Sequence, residues 1–567
     1  MILALFGSAF TVASCWGAGS LAAPREQSGA LRFVVGAAVL SLAVFLLAAM
    51  HLANVWAFAV LGAVALAGAF WLVRNSRPRV SSSASWTLWI LAPFFAWYLI
   101  YALAPEASPD GSGYHLGLVR RYFEHGQLLR ITTSMYASLT QGLEMLFLMA
   151  YSFGRNAVDG GSAAAVVHLA FLAALAKLLT DFDPRVGWAA AAIVVASPVV
   201  AIDAASAYND VALACVLFAL FVLLEREDAN PWLVGLLAGF AFGIKYTGIV
   251  ALPYALARCR KPAVLAGALL TIAPWMVKNW VFVANPVAPF FNRVFPNDFM
   301  RASTEDRYRA AMRDLGGGIG WDTPLEVTVR GGKLQGILGP AFLLTPVALL
   351  AVRQPEGRRL LLAGTIFALP WFVNLGTRFL IPAVPFFALA LVSALGSLTN
   401  SRVVLAGLAA VQMVAAAPAA VDRYAAPYVW HMAEVPWRAA LRLEPPDAYL
   451  RKRLGETYQI ARMIDATVPA GCRVYTAWPL PDAYTGREIL LDYTAALNNR
   501  LSDALATGRP ESAAEFRNAG VTWLLLHREE KAAAEFAAHS EAWGAQLVAE
   551  SGAGRLYRME GKCFGSD

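Results

Sequence analysis

Apolar runs of about 20 residues, the length a helix needs to cross ~30 Å of hydrocarbon, recur along the chain from Ile2 to Ala420. They fall at 2–23, 31–53, 55–73, 86–104, 139–153, 163–179, 186–202, 211–224, 232–257, 263–283, 337–352, 360–375, 379–395 and 403–417. Charges are sparse inside these runs and gather between them. The pattern predicts a polytopic α-helical membrane protein with about 13–14 transmembrane helices. Two runs leave the count open, because 139–153 is short for a crossing and 232–257 is long enough to form a hairpin turning at Lys245. Beyond Val421 helix-like stretches at 447–466, 512–518 and 529–539 alternate with β-rich runs at 473–477, 489–493, 521–527, 546–549 and 555–558. That alternation predicts an α/β domain. The chain divides into N-terminal helices (1–85), a transmembrane body (86–420) with polar loops at 105–138 and 284–336, and the terminal domain (421–567).

Arginine and lysine set the orientation, since short cytoplasmic loops collect them. Arg25 and Arg32, then Arg74, Arg77 and Arg79, then Arg258, Arg260 and Lys261, then Arg353, Arg358 and Arg359 mark inside loops. The N-terminus, both polar loops and the domain after Val421 are then expected outside. No basic residue precedes the first run, so it reads as a spanning helix, and the box Val12-Ala13-Ser14-Cys15 does not read as a lipoprotein signal.

A hydrophobic content of 58%, with only 15% charged residues and a mean hydropathy of +0.53, excludes an ordinary soluble enzyme. The net charge of +7 belongs to the membrane part, because residues beyond Ala420 carry 17 basic and 19 acidic side chains. Basic excess along the bilayer fits orientation or a lipid phosphate, not nucleic acid. No P-loop, GxGxxG or zinc-type cysteine spacing occurs. Cys472 and Cys563 both fall in the terminal domain and are expected to form a disulfide, whereas Cys15, Cys215 and Cys259 read as packing residues.

Candidate chemistry begins in the loop 105–138. Turn residues around Asp110 lead through Tyr114 and His115 into LGLVRRYFEHG, where Leu116, Val119, Tyr122 and Phe123 recur at helical spacing. A carboxylate so placed could deprotonate an acceptor hydroxyl, or serve as a turn or N-cap residue. Tyr114 and His115 could be ligands or interfacial anchors. Ionisable residues inside apolar runs or at their ends are functional candidates: Glu144, Asp203, Asp210, Lys245 and Arg378. The plainer alternatives are helix capping for Asp210 and snorkelling for Lys245 and Arg378. Trp275 and Asn279 lie four residues apart on one helix face and could contact a sugar or anchor the helix. Asn285-Pro286 reads as a turn opening the second loop, whose position suits a lid.

The order of the acidic first loop, YASLTQGLEMLFLMAYSFG, SAYNDVAL, GFAFGIKYTG, PWMVKNWVFVANPVAPFF, RFLIPAVP and an α/β tail resembles the GT-C superfamily of polyprenyl-phosphate-sugar-dependent glycosyltransferases. It is similar in particular to bacterial relatives of the protein O-mannosyltransferase and aminoarabinose transferase families. The resemblance implies an inverting, multi-pass enzyme of the bacterial inner membrane that takes a polyprenyl-phosphate-linked sugar donor among membrane lipids. The acceptor would be a glycan, lipid or protein at the outer face, with no cofactor and no nucleic acid. Asp110 would be the catalytic base or orient the acceptor. Lys245 and Arg378 would neutralise the departing phosphate, which favours the hairpin with Lys245 outside. Tyr114, His115, Glu144, Asp210, Trp275 and Asn279 complete the expected substrate-binding set. Many relatives carry paired acids in the first loop, whereas Asp110 has only Glu106 nearby, so no metal is expected. Competing readings are an O-antigen ligase or polymerase and a lipid-linked sugar flippase or transporter.

Overall fold

The computed structural model describes residues 1–74, 85–315 and 317–563, so Arg77 and Arg79 lie outside the described residues. Six of its helices are long and apolar enough to cross a membrane, including Ile2–Ala22, Gly29–Ala49, Ala157–Phe182 and Pro262–Val283. Two further apolar helix pairs are sharply bent, as in a broken span or a re-entrant loop: Gly187–Val195 meets Pro198–Ala204 at 73°, and Arg402–Ala415 meets Pro418–Tyr424 at 85°. Several other apolar runs form shorter helices, among them Gly142–Tyr151, Asp210–Leu224 and Pro231–Ile244.

The shortening has local causes. Pro198 has no N–H and cannot continue the helix before it. The carbonyls freed at that break are satisfied inside the bundle, as an apolar medium requires. Tyr98 Oη donates to Val195 O (2.8 Å), and the buried Gln412 amide reaches Ala196 O (3.5 Å). Gln412 also donates to Leu338 O (2.8 Å) and accepts from Ala341 N (3.0 Å), so a single side chain braces the irregular segment there as well.

Run 232–257 does turn at Lys245. Helix Pro231–Ile244 ends there, the 3-10 stretch Tyr246–Val250 follows, and Ala251–Arg258 returns alongside. The return is close: a Cβ on Gly248 would stand 2.1 Å from the carbonyl oxygen of Ala241, so only glycine fits. Arg258 comes back to pair with Glu225 (2.9 Å), and Arg359 reaches the same carboxylate (2.6 Å). Arg226 pairs with Glu26 (2.5 Å). The basic loops after the first and ninth apolar runs, the one before residue 360 and the acidic loop after the eighth run therefore share one end of the bundle, consistent with a common face. Loops 105–138 and 284–336 lie at the other end.

The C-terminal domain caps that other end. Its sheet has the order β2-β1-β3-β5-β4, from β1 (Arg473–Thr476), β2 (Glu488–Leu491), β3 (Trp523–His527), β4 (Ala545–Ser551) and β5 (Gly554–Met559). The first three strands run parallel and β5 is antiparallel to both β3 and β4. All five sequence-predicted strands are present, and Cys472 is bonded to Cys563. The helix expected over 447–466 is two, Pro446–Leu454 and Glu456–Thr467, because Gly455 breaks it at φ +57°. Residues 421–454 pack back on the bundle rather than on the sheet. Arg442 donates to Leu103 O (2.8 Å) and pairs with Asp159 (2.9 Å), and Trp430 meets Tyr208 at 5.1 Å between ring centroids.

Candidate active site

Four charged side chains converge where the first loop meets the broken helices. Asp110 pairs with Arg378 at 2.5 Å, Arg378 lies 4.0 Å from Asp210, and Asp210 pairs with Lys245 at 2.5 Å. Two carboxylates and two cations balance in a resting cluster. Asp210 is almost fully buried, whereas Asp110, Lys245 and Arg378 keep 22–29% of their side-chain surface exposed. The cluster is therefore open on one side.

Each member is released by its local structure to face the cluster. Asp110 stands just before the π-helical turn Gly111–His115, and its side chain makes no capping bond there, which sets aside the N-cap alternative. Its backbone N–H donates instead to Tyr208 Oη (3.2 Å). Asp210 is the first residue of its helix, yet the N–H of Val211 is taken by Asp203 Oδ1 (2.9 Å) from the preceding segment, leaving Asp210 free for Lys245. Lys245 stands in extended backbone at the hairpin turn. Arg378 stacks over Tyr208 (4.9 Å) and Phe379 (4.8 Å), and Lys245 shares the Phe379 face at 4.8 Å. Such cation–π contacts hold cations in place without consuming their charge. Burial alone would push the Asp110 carboxyl up, but the Arg378 guanidinium, with His115 and Lys245 beyond it, holds it below the ordinary carboxylate value.

A small groove opens from the Asp210–Lys245 end. Its walls are apolar, including Leu213, Leu217, Val250, Phe367, Phe379 and Pro382. Ile249, Leu369 and Phe372 stand exposed on the adjoining surface.

The remaining sequence candidates divide into those beside the cluster and those away from it. His115 Nδ1 and Glu144 Oε1 are 2.6 Å apart with both side chains 3% exposed, so this pair buttresses the loop from below. Tyr114 stacks on Tyr136 at 4.1 Å and 6°. Trp275 is buried against Phe45 (4.7 Å). The Asn279 amide nitrogen is spent on the carbonyls of Ser138 (2.7 Å) and Ala288 (3.0 Å), which ties two loops together. The structure thus gives Trp275 and Asn279 packing and bracing contacts apart from the charged cluster. Glu106 is also a brace, accepting from the backbone N–H groups of Ser108 (2.7 Å) and Ala207 (2.6 Å). Asn285 accepts from Val287 N (3.0 Å), the turn expected at Asn285-Pro286. Among the described residues, no three His, Cys, Asp or Glu side chains converge as a metal group. Tyr208, Phe379 and Trp430 are the partners that sequence reasoning missed. Tyr208 and Phe379 lie within the quoted motifs SAYNDVAL and RFLIPAVP, and Trp430 carried no signal of its own.

Residues 145–369 match the model of glycosyltransferase family 87. The match spans less than half of the chain and supports an integral-membrane glycosyltransferase. Its fold is shared with ArnT from Cupriavidus metallidurans bound to undecaprenyl phosphate, at 13% sequence identity and a TM-score of 0.53. The apo state of the same ArnT matches at 15% identity and a TM-score of 0.50, and both alignments cover 84% of this chain and 98% of ArnT. No curated protein sequence matches the chain.

Proposed function

We propose that the protein transfers a sugar from a polyprenyl-phosphate donor to an acceptor hydroxyl at the membrane face carrying the C-terminal domain, taken as the periplasmic side of a bacterial inner membrane. The observation that carries this reading is the junction of an apolar groove with two cations that already hold carboxylates, Lys245 on Asp210 and Arg378 on Asp110. The groove suits an isoprenoid chain and the cations suit its phosphate. The likeness to ArnT, whose structure holds undecaprenyl phosphate, supports the same lipid class.

In this mechanism the donor phosphate draws Arg378 and Lys245 toward itself. Asp110 then loses part of its ion pairing, regains basicity and accepts the proton of the acceptor hydroxyl as that oxygen attacks the anomeric carbon. The bond from the anomeric carbon to the phosphate oxygen breaks with inversion. Negative charge accumulating on the leaving phosphate is met by the two preorganised cations, which is where electrostatic catalysis acts. His115 and Glu144 keep the loop in place.

Binding of undecaprenyl phosphate to the purified protein in nanodiscs tests the donor assignment. Lys245→Ala and Arg378→Ala should each weaken it by about tenfold, in line with loss of one charge-assisted contact. Unchanged affinity and turnover in both variants would remove them from the site.

A further inference from the structure

The loop after β2 enters the region of Asp110, and it does so in an unfavourable backbone conformation. Tyr493 has φ +48°, a left-handed value that a side chain with a Cβ adopts only at a cost. The residues around it are fixed to the first loop: Met135 N donates to Thr494 O (2.8 Å), and Asn498 Nδ2 donates to Thr133 O (2.9 Å). The Tyr493 hydroxyl lies close to that of Tyr136, the ring on which Tyr114 stacks. Tyr308, on helix Ala302–Leu315 of the second loop, completes the group. Burial first, and then the charge of Asp110 and the neighbouring Tyr493, raise its phenol to about 12. The helix carrying Tyr308 is held to the C-terminal domain by Arg307–Asp503 (2.5 Å).

Tyr114, Tyr136, Tyr308 and Tyr493 are all half-buried, so each retains open surface. None of them lines the apolar groove. They stand near the charge of Asp110. Phenol faces pack against the C–H face of a pyranose while their hydroxyls reach its hydroxyls, the amphipathic combination that makes tyrosine a frequent contact residue. We infer that these tyrosines form the acceptor subsite, that its ligand is the pyranose ring of a saccharide bearing the attacking hydroxyl, and that the C-terminal domain completes the subsite through Tyr493. The inference rests on the transferase reading, because it takes Asp110 as the base beside that hydroxyl.

Saturation-transfer NMR on the protein in nanodiscs, with methyl α-D-mannopyranoside, methyl α-D-glucopyranoside and methyl β-D-galactopyranoside as probes, tests it apart from the donor site. Tyr493→Asn keeps a residue that tolerates a left-handed backbone and removes the ring. At least one glycoside should bind the wild type and lose about tenfold in affinity in Tyr493→Asn and in Tyr308→Ala. Undecaprenyl phosphate should bind both variants as it binds the wild type. Equal glycoside binding in wild type and variants, or no glycoside binding to the wild type, overturns the subsite. Loss of undecaprenyl phosphate binding together with glycoside binding in Tyr493→Asn, with Tyr308→Ala unaffected, makes Tyr493 a structural anchor and also overturns it. Failure of the donor reading shows differently, as undecaprenyl phosphate binding that ignores Lys245 and Arg378.

Discussion

Glu106 and Asp110 share one loop, Asp203 and Asp210 another, and in each loop the two carboxylates meet different partners. Glu106 and Asp203 are buried and accept from backbone N–H groups, at Ser108 and Ala207 for the first and at Val211 for the second. Asp110 and Asp210 face the guanidinium and ammonium groups of Arg378 and Lys245. A carboxylate bonded to amides fixes a chain path, because those donors cannot move without unfolding. A carboxylate bonded to a long cationic side chain can exchange partners. The distinction between brace and reactive group therefore lies in what each acid holds, not in residue type or depth.

The sharpest way to break this contrast is Asp110→Asn, which keeps size and turn preference but removes charge. Turnover should fall by about 10²-fold or more if the group is the base, with melting temperature and undecaprenyl phosphate binding retained. Turnover near wild type would return Asp110 to a loop role. The companion substitution, Glu106→Ala, should act on the fold instead, leaving two N–H groups short of acceptors and lowering stability by about 1–3 kcal/mol. Denaturation in detergent reads that loss. A Glu106 variant with native stability and no turnover would erase the division between the acids.

A smaller effect separates the resting cluster from the loaded one. Because Arg378 depresses the Asp110 pKa, the pair stabilises the fold at neutral pH and that contribution is lost as pH falls through the depressed value. The acid limb of kcat/KM, which reports the free enzyme, should lie below the ordinary value of 3.8. The limb of kcat should lie higher by about one pH unit once phosphate has drawn Arg378 away. Coincident limbs in a full pH profile would mean that the ion pair persists during turnover.

The charged members of the cluster were legible in the sequence because Lys245 interrupts an apolar run and Asp210 and Arg378 stand at the start of two others, where charge is costly. Asp110 stood out by its setting among turn residues. The tyrosines were not legible, since an aromatic ring near a membrane surface has the same sequence signature whether it anchors or binds. Trp275 and Asn279 show the converse difficulty: one helix face was read correctly, but periodicity does not say whether that face meets solvent, ligand or other protein. Breaks such as those at Pro198 and Gly455 were also underestimated. Hydrophobicity over a window averages across a kink, while the geometry depends on one missing N–H or one left-handed residue. The helix Ala496–Ala506 passed unnoticed although Leu497, Leu501 and Leu505 recur along it at four-residue spacing.

Glu225, at the far end of the helix that begins with Asp210, holds Arg258 and Arg359 from the helices Ala251–Arg258 and Pro355–Ala368, which adjoin two other walls of the groove. Those ion pairs clamp the groove at its base, while its flank carries the exposed Ile249, Leu369 and Phe372. A long isoprenoid would then enter and leave sideways, exchanging with the surrounding bilayer rather than with bulk water. For such an enzyme the effective donor concentration is a two-dimensional one. Apparent KM should follow the mole fraction of donor in the membrane, and diluting the same vesicles in buffer should leave it unchanged.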